Sequence, residues 1–273
     1  MEKIELHVYR QYIKLVHPNI NFLTKIMFDF NRKLVTFRKD RVFDKKLRRY
    51  RIEAKVDKKF YVIDTRDKSM RYPFTLRDDI LSYLNNLKYV VEVHRHSIPK
   101  SDTIDYKMAV DYKPRENQKL YIDLIIDLDF PTTLIDLKTG GGKTFISTYA
   151  MSKLKKKFAV LVLPRYIDKW KKDLEFYLGL KEDEVYVVQG GNSLRKLMMM
   201  DKEDIKKIKA YIISLKTLTM YIKEWLDESK EFTYHIPPEK LSRKLRIGYI
   251  LSDEVHQEYH NVYLSQMFMT TKK

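Results

Sequence analysis

Two short clusters in this chain carry residue types suited to phosphate chemistry. The first is Leu137-Lys138-Thr139-Gly140-Gly141-Gly142-Lys143-Thr144. Its three glycines lack Cβ atoms, so the backbone can curl and aim N–H groups at phosphate oxygens. Lys143 would reach the terminal phosphates of a nucleotide, and Thr144 would place its hydroxyl on Mg²⁺. The second cluster is Leu251-Ser252-Asp253-Glu254-Val255-His256. Two carboxylates closing an apolar strand are costly unless they hold a cation or face a crevice. Asp253 would hold Mg²⁺, and Glu254 would orient and deprotonate a water. Together the clusters describe a site for ATP and Mg²⁺, with Thr139, Gly140, Gly141, Gly142, Lys143 and Thr144 binding the nucleotide. Leu137 stands where the general loop pattern has its first glycine.

The elements around these clusters must place them. Pro131–Leu137 is mostly apolar and predicts a strand entering the loop. Phe145, Ile146, Ala150 and Leu154 recur at helical spacing after it. The loop would then open a helix N-terminus, where peptide dipoles favour an anion. Ile247–Leu251 predicts the buried strand that presents the acidic pair. Strands alternating with helices predict an α/β fold with a parallel sheet.

These motifs resemble motifs I and II of superfamily 2 helicases, the second in its Asp-Glu-Val-His form. Other stretches fit that family in order. Pro114-Arg115-Glu116-Asn117-Gln118 resembles its adenine-reading segment, with Arg115 and Gln118 at the nucleotide. Val160–Arg165, followed by Trp170, resembles the segment that holds single-stranded backbone, through Pro164 and Arg165. Gln189-Gly190-Gly191, followed by Arg195 and Lys196, resembles the next strand-end contact loop. Ile212–Leu218 resembles a segment touching DNA through Ser214 and Thr217. In residues alone, Pro164-Arg165 and Gly190-Gly191 are turn signals, and Ser214 and Thr217 suit strand-to-helix caps. The resemblance gives His256 a role in coupling nucleotide state to DNA grip. It implies one RecA-like domain over 113–273, incomplete because a second such domain with its arginines is absent. It also implies a chain that binds ATP but hydrolyses it poorly by itself. Within the superfamily the layout is most similar to phage recombination helicases of the UvsW kind. That implies DNA partners, single-stranded and branched, with other replication or recombination proteins, in the cytoplasm of a host cell. A nucleotide-switched binding protein without turnover and the motor part of a restriction or defence complex are the alternatives.

Composition narrows the class. The chain has 273 residues, 33% of them charged, and no cysteine, so disulfides and thiolate-bound zinc are excluded. No apolar run approaches a membrane span. Net charge is +17, and 13 basic against 4 acidic residues fall within 31–60. A surplus this local is the footprint of a polyanion.

Residues 1–96 read as a small basic α+β domain: a strand over Ile4–Val16, a helix after Pro18, strands at Leu34–Phe37, Tyr50–Val56 and Phe60–Ile63, a helix after Pro73, and a last strand at Tyr89–Val93. Its basic connection, Arg38–Arg51, would bind nucleic acid through Lys45, Lys46, Arg48 and Arg49. Phe43 and Leu47 read as core anchors. Residues 97–112 read as a linker. His94 and His96 read as surface histidines, since no third ligand is evident. Met198–Met200 reads as a packing face, and Lys230–Arg246 as an exposed loop.

Overall fold

The even positions Ile4, Leu6 and Val8 are buried, and so are the odd positions Ile13 and Leu15. A strand shows one face at every second residue, so the change of parity requires a break. In the computed structural model, which describes residues 3–44, 46–96, 101–127, 133–138 and 140–269, the expected strand over Ile4–Val16 is two. Strand β1 (Lys3–Val8) and β2 (Tyr12–Val16) form an antiparallel hairpin, closed by a Tyr9 N–H donating to the Tyr12 carbonyl at 3.0 Å.

The chain forms two compact units, Met1–His96 and Ser97–Lys273. In the first, helices α1 (Ile20–Ile26) and α2 (Phe28–Arg32) follow the hairpin. Strands β3 (Val35–Asp44) and β4 (Arg49–Lys59) come next, then β5 (Val62–Asp64), β6 (Ser69–Pro73), helix α3 (Arg77–Asn86) and β7 (Val90–Arg95). Five strands make a mixed sheet in the order β5-β6-β2-β1-β7. Leu23, Phe30, Ile80 and Leu84 from the helices, with Met27 between α1 and α2, pack on Ile4, Leu6, Ile13, Leu15, Met70 and Tyr72. Arg71 is buried beneath them and pairs with Asp64 at 3.3 Å and Asp67 at 2.7 Å. Strands β3 and β4 form a separate antiparallel ribbon. The basic connection is therefore strand for most of its length, turning where Asp44 Oδ1 accepts from the Lys46 and Leu47 N–H groups at 2.9 and 3.1 Å.

The second unit holds α4 (Glu116–Ile126), α5 (Lys143–Leu154), β8 (Phe158–Val162), α6 (Ile167–Leu178), β9 (Val185–Val188), α7 (Gly191–Met199), α8 (Lys202–Lys207) and β10 (Ala210–Ser214). It ends with α9 (Leu215–Leu226), α10 (Pro238–Leu245), β11 (Tyr249–Ser252) and α11 (Tyr259–Gln266). Its four-stranded sheet is parallel, in the order β11-β8-β10-β9. Strand β8 is buried along its whole length, as a parallel strand covered on both faces must be. No helix among the described residues is long and apolar enough to cross a membrane.

Three expectations need correction here. Residues 133–138 belong to no strand; Ile135 and Leu137 lean on the core without pairing. Residues 101–112 are packed rather than free. Tyr106 is buried, the Ala109 N–H donates to the Tyr177 carbonyl, and Asp102 pairs with the buried Lys157 at 2.8 Å. The stretch expected as a loop before β11 contains α10, whose Leu241 and Leu245 are fully buried. Phe232 and Tyr234 join Tyr221 and Trp225 in a ring cluster. Of the three methionines, Met198 is buried and Met199 exposed.

Candidate functional site

A parallel sheet sends all its strand ends to one edge. Register places Ser252 beside Leu161, Ser214 beside Val162, and Ile213 beside Val188. Pro164–Arg165, Gly190–Gly191, Ser214 and Asp253–Glu254 therefore leave the sheet on its carboxyl side, where open α/β folds place ligands. Helix α5 joins β8 at the opposite end through residues 155–157. Its first residue, Lys143, consequently points back toward the carboxyl side.

The glycine loop is built for a close approach. Gly140 and Gly142 both hold φ +82°, a left-handed value that L side chains rarely adopt. Space is open around Gly140: among the described residues, its chain neighbours aside, no atom lies within 4 Å of where a Cβ would stand. At Gly142 a Cβ would come 2.6 Å from Gln118 Nε2. Gln118 is buried, donates from Nε2 to the Gly141 carbonyl at 3.3 Å, and accepts on Oε1 from the Arg115 N–H at 3.0 Å. Its amide thus ties the start of α4 to the loop. Lys143 makes no ion pair among the described residues. Open space beside Gly140, a helix N-terminus and an unneutralised ammonium fit a polyphosphate. Thr139 lies outside the described residues.

The acidic pair is held from below. The Trp170 indole N–H donates to Asp253 Oδ2 at 2.8 Å, and the Asp253 N–H reaches the Leu161 carbonyl at 3.0 Å. One turn along α6, burial pushes the Asp173 carboxyl above the ordinary carboxylate range; Lys169 opposes the shift and Asp253 adds to it. Sequence reasoning did not single out Asp173. Its spacing of three from Trp170 on one helix was the available signal. Glu254 takes φ +52°, a strained backbone for a side-chain-bearing residue. Its Oε2 lies 3.4 Å from His256 Nε2 and 3.2 Å from Gln257 Nε2. Gln257 in turn bonds Arg165. The Gln257 amide thereby links Arg165 to Glu254, whose carboxylate also meets His256.

Two residues expected to face DNA turn inward. Ser214 and Thr217 are buried. Ser214 caps α9 through the Thr217 N–H at 3.4 Å, and Thr217 Oγ1 accepts from the Gly190 N–H at 2.8 Å. Both hydroxyls serve the fold, and Thr217 sets the Gly190 turn. A Cβ on Gly191 would meet Tyr234 Oη at 2.9 Å, so that loop is closely covered.

In the first unit, pairing divides the ribbon into unlike faces. Phe37, Lys39, Arg41 and Phe43 stand opposite Val56, Ala54, Ile52 and Tyr50. The other face carries Arg38, Asp40, Asp44, Arg51, Glu53 and Lys55, which neutralise one another in ion pairs. The expectation that Phe43 and Leu47 anchor a core fails: they are 48% and 58% exposed, with Phe37 at 63% and Ile52 at 73%. Arg41 lies over the Tyr50 ring at 4.5 Å, and Phe43 meets Tyr50 edge-on at 5.2 Å. Lys46, Arg48 and Arg49 at the tip are exposed; Lys45 lies outside the described residues.

Comparison with known proteins adds a family. The profile described as "Type III restriction enzyme, res subunit" matches residues 111–269. Among solved structures, the UvsW helicase from bacteriophage T4 aligns at 14% identity and TM-score 0.45, covering 98% of this chain and 98% of that one. A second T4 UvsW structure aligns at 14% identity and TM-score 0.47, covering 99% of this chain and 56% of that one. No curated protein matches significantly.

Proposed function

The chain belongs to the type III restriction enzyme res-subunit family, a superfamily 2 helicase group, and on that premise we propose that it is the ATP- and DNA-binding part of a DNA helicase or translocase acting on branched DNA. The observation that carries this reading is the glycine loop: open above Gly140, locked by Gln118, and leading Lys143 into α5. Loop N–H groups and Lys143 would hold the phosphates. Thr144 and Asp253 would hold Mg²⁺, which supplies charge neutralisation at the transferring phosphoryl group. Trp170 fixes the Asp253 carboxylate, so the ligand oxygen does not have to be ordered on binding. Glu254 would take a proton from the attacking water at its carboxylate oxygen. Its contacts with His256 and Gln257 connect that oxygen to Arg165, a side chain on the proposed DNA side.

The ribbon is the second nucleic-acid element. Its tip cations Lys46, Arg48 and Arg49, with Lys45, would grip phosphates, and its exposed aromatic face would meet bases. The family's own description favours a second reading, the motor part of a restriction complex. A methylase or nuclease that co-purifies with the chain in its native cell would favour it. The deciding measurement for the first reading is fluorescent-nucleotide titration with Mg²⁺, alongside binding to forked and duplex DNA. Saturable ATP binding abolished by Lys143→Ala, with preference for forked DNA, is expected. Absence of nucleotide binding overturns the reading.

A further inference from the structure

We propose that Glu5, His7 and His94 form a zinc-type divalent metal site on the outer face of the first unit's sheet, with His96 orienting His7. The site is independent of the nucleotide site and of the reading given to it above. Strands β1 and β7 run parallel, with His7 opposite His94 and Glu5 opposite Glu92. Ile4, Leu6 and Val8 turn to the core, so Glu5, His7 and His94 share the other face. One ligand atom from each of these three lies within 4.8 Å of the others. An ion bound at about 2.0–2.2 Å in tetrahedral geometry would hold its ligands roughly 3.4 Å apart. Side-chain rotations of about an ångström close that gap.

The surroundings are those of a site rather than of loose surface histidines. His7 Nε2 lies 3.0 Å from Glu5 Oε2, and His7 Nδ1 lies 2.7 Å from His96 Nε2. With a metal on Nε2, His7 would donate its Nδ1–H to His96, the arrangement that fixes tautomer and ring plane in metal-binding histidines. The rings are stacked: His7 on His94 and on His96, both at 4.9 Å, and His96 on Tyr9 at 4.5 Å. Stacking restricts rotation and lowers the ordering cost. His94 Nε2 is buried and makes no hydrogen bond; Glu92 Oε1 is 3.6 Å away. Lys3 engages Glu92, which leaves Glu5 for the ion.

Two imidazoles and a carboxylate suit Zn²⁺ and its neighbours, whereas Mg²⁺ and Ca²⁺ seek oxygen donors. Bound there, the ion would clip the first strand of the unit to the last. The ligands His7 and His94 stand opposite each other on the first and last strands of the unit, so the clip closes nearly the whole unit into a loop and removes unfolded-chain entropy.

The test uses the full chain, stripped with chelator and titrated with Zn²⁺ in excess Mg²⁺, by calorimetry and thermal denaturation. A single Zn²⁺ per chain and a raised Tm are expected. His96→Ala should weaken binding about 10–100-fold, the usual cost of losing an orienting partner. His7→Ala and His94→Ala should weaken it further, and His235→Ala, at an exposed histidine of the second unit, should leave it unchanged. Glu5→Gln, which keeps the shape of the sheet surface, decides the matter should a histidine variant fail to fold. No saturable Zn²⁺ binding by the parent chain, or unchanged affinity in Glu5→Gln and the folded histidine variants, overturns the proposal.

Discussion

Replacing the loop glycines one at a time separates backbone strain from steric contact. Gly140 and Gly142 share φ +82°, but only Gly142 would bring a Cβ against a neighbour, Gln118 Nε2 at 2.6 Å. Alanine in a left-handed conformation costs about 1–2 kcal/mol. Gly140→Ala should therefore weaken Mg-ATP binding roughly 5–30-fold, each ~1.4 kcal/mol being tenfold. Gly142→Ala carries the same strain and also expels the Gln118 amide. That breaks a hydrogen bond worth about 0.5–1.5 kcal/mol, a further roughly 2–12-fold. In a Gln118→Ala background the clash is gone, so Gly142→Ala should fall back to the cost of Gly140→Ala. The assay is a fluorescent ATP analogue titrated against all five proteins, parent included, with circular dichroism to check folding. Equal losses at Gly140 and Gly142, or no relief from Gln118→Ala, would refute the claim that Gln118 clamps the loop.

Three further outcomes follow from the same geometry. Glu254→Gln should retain ATP binding and remove any DNA-stimulated turnover, read by phosphate release. Trp170→Phe keeps the ring but leaves Asp253 Oδ2 without its donor, and should raise the Mg²⁺ concentration needed for nucleotide binding roughly tenfold, from about 1–3 kcal/mol for an unmet acceptor. Reversing Lys46, Arg48 and Arg49 to Glu should lower the slope of log K against log salt on duplex DNA by up to ~0.9 per contact, while leaving ATP binding intact. An unchanged slope would show that the ribbon tip meets no phosphates.

What could be read from the chain alone depended on how local the determinant was. Gly140–Lys143 and Asp253–Glu254 are short motifs whose conformation is set by glycine and by strand ends, so their placement at a loop and a strand end is legible in the sequence. The β1–β2 break was visible too, in the change of parity between Val8 and Ile13, although the alternation was read as a single strand. Burial was less accessible. Phe43 and Tyr50 look like core residues by type, yet among the described residues no layer covers them. The inward turn of Ser214 and Thr217 depends on the Gly190 loop arriving from another strand. His7 and His94 meet because β7 returns parallel beside β1, a pairing that no local spacing announces.

The ribbon's isolation from the five-stranded sheet also sets how it responds to heat. Two strands alone are marginally stable in water, and β3–β4 hydrogen-bonds to no third strand among the described residues. Its amides should exchange with deuterated solvent long before those of β1 and β2, since opening it leaves the core around Leu6 and Leu15 untouched. A ligand that settles on the ribbon then supplies part of its folding free energy. Affinity would decline on warming more steeply than contact chemistry alone requires, and bound nucleic acid would slow exchange throughout the hairpin, including at positions it never touches.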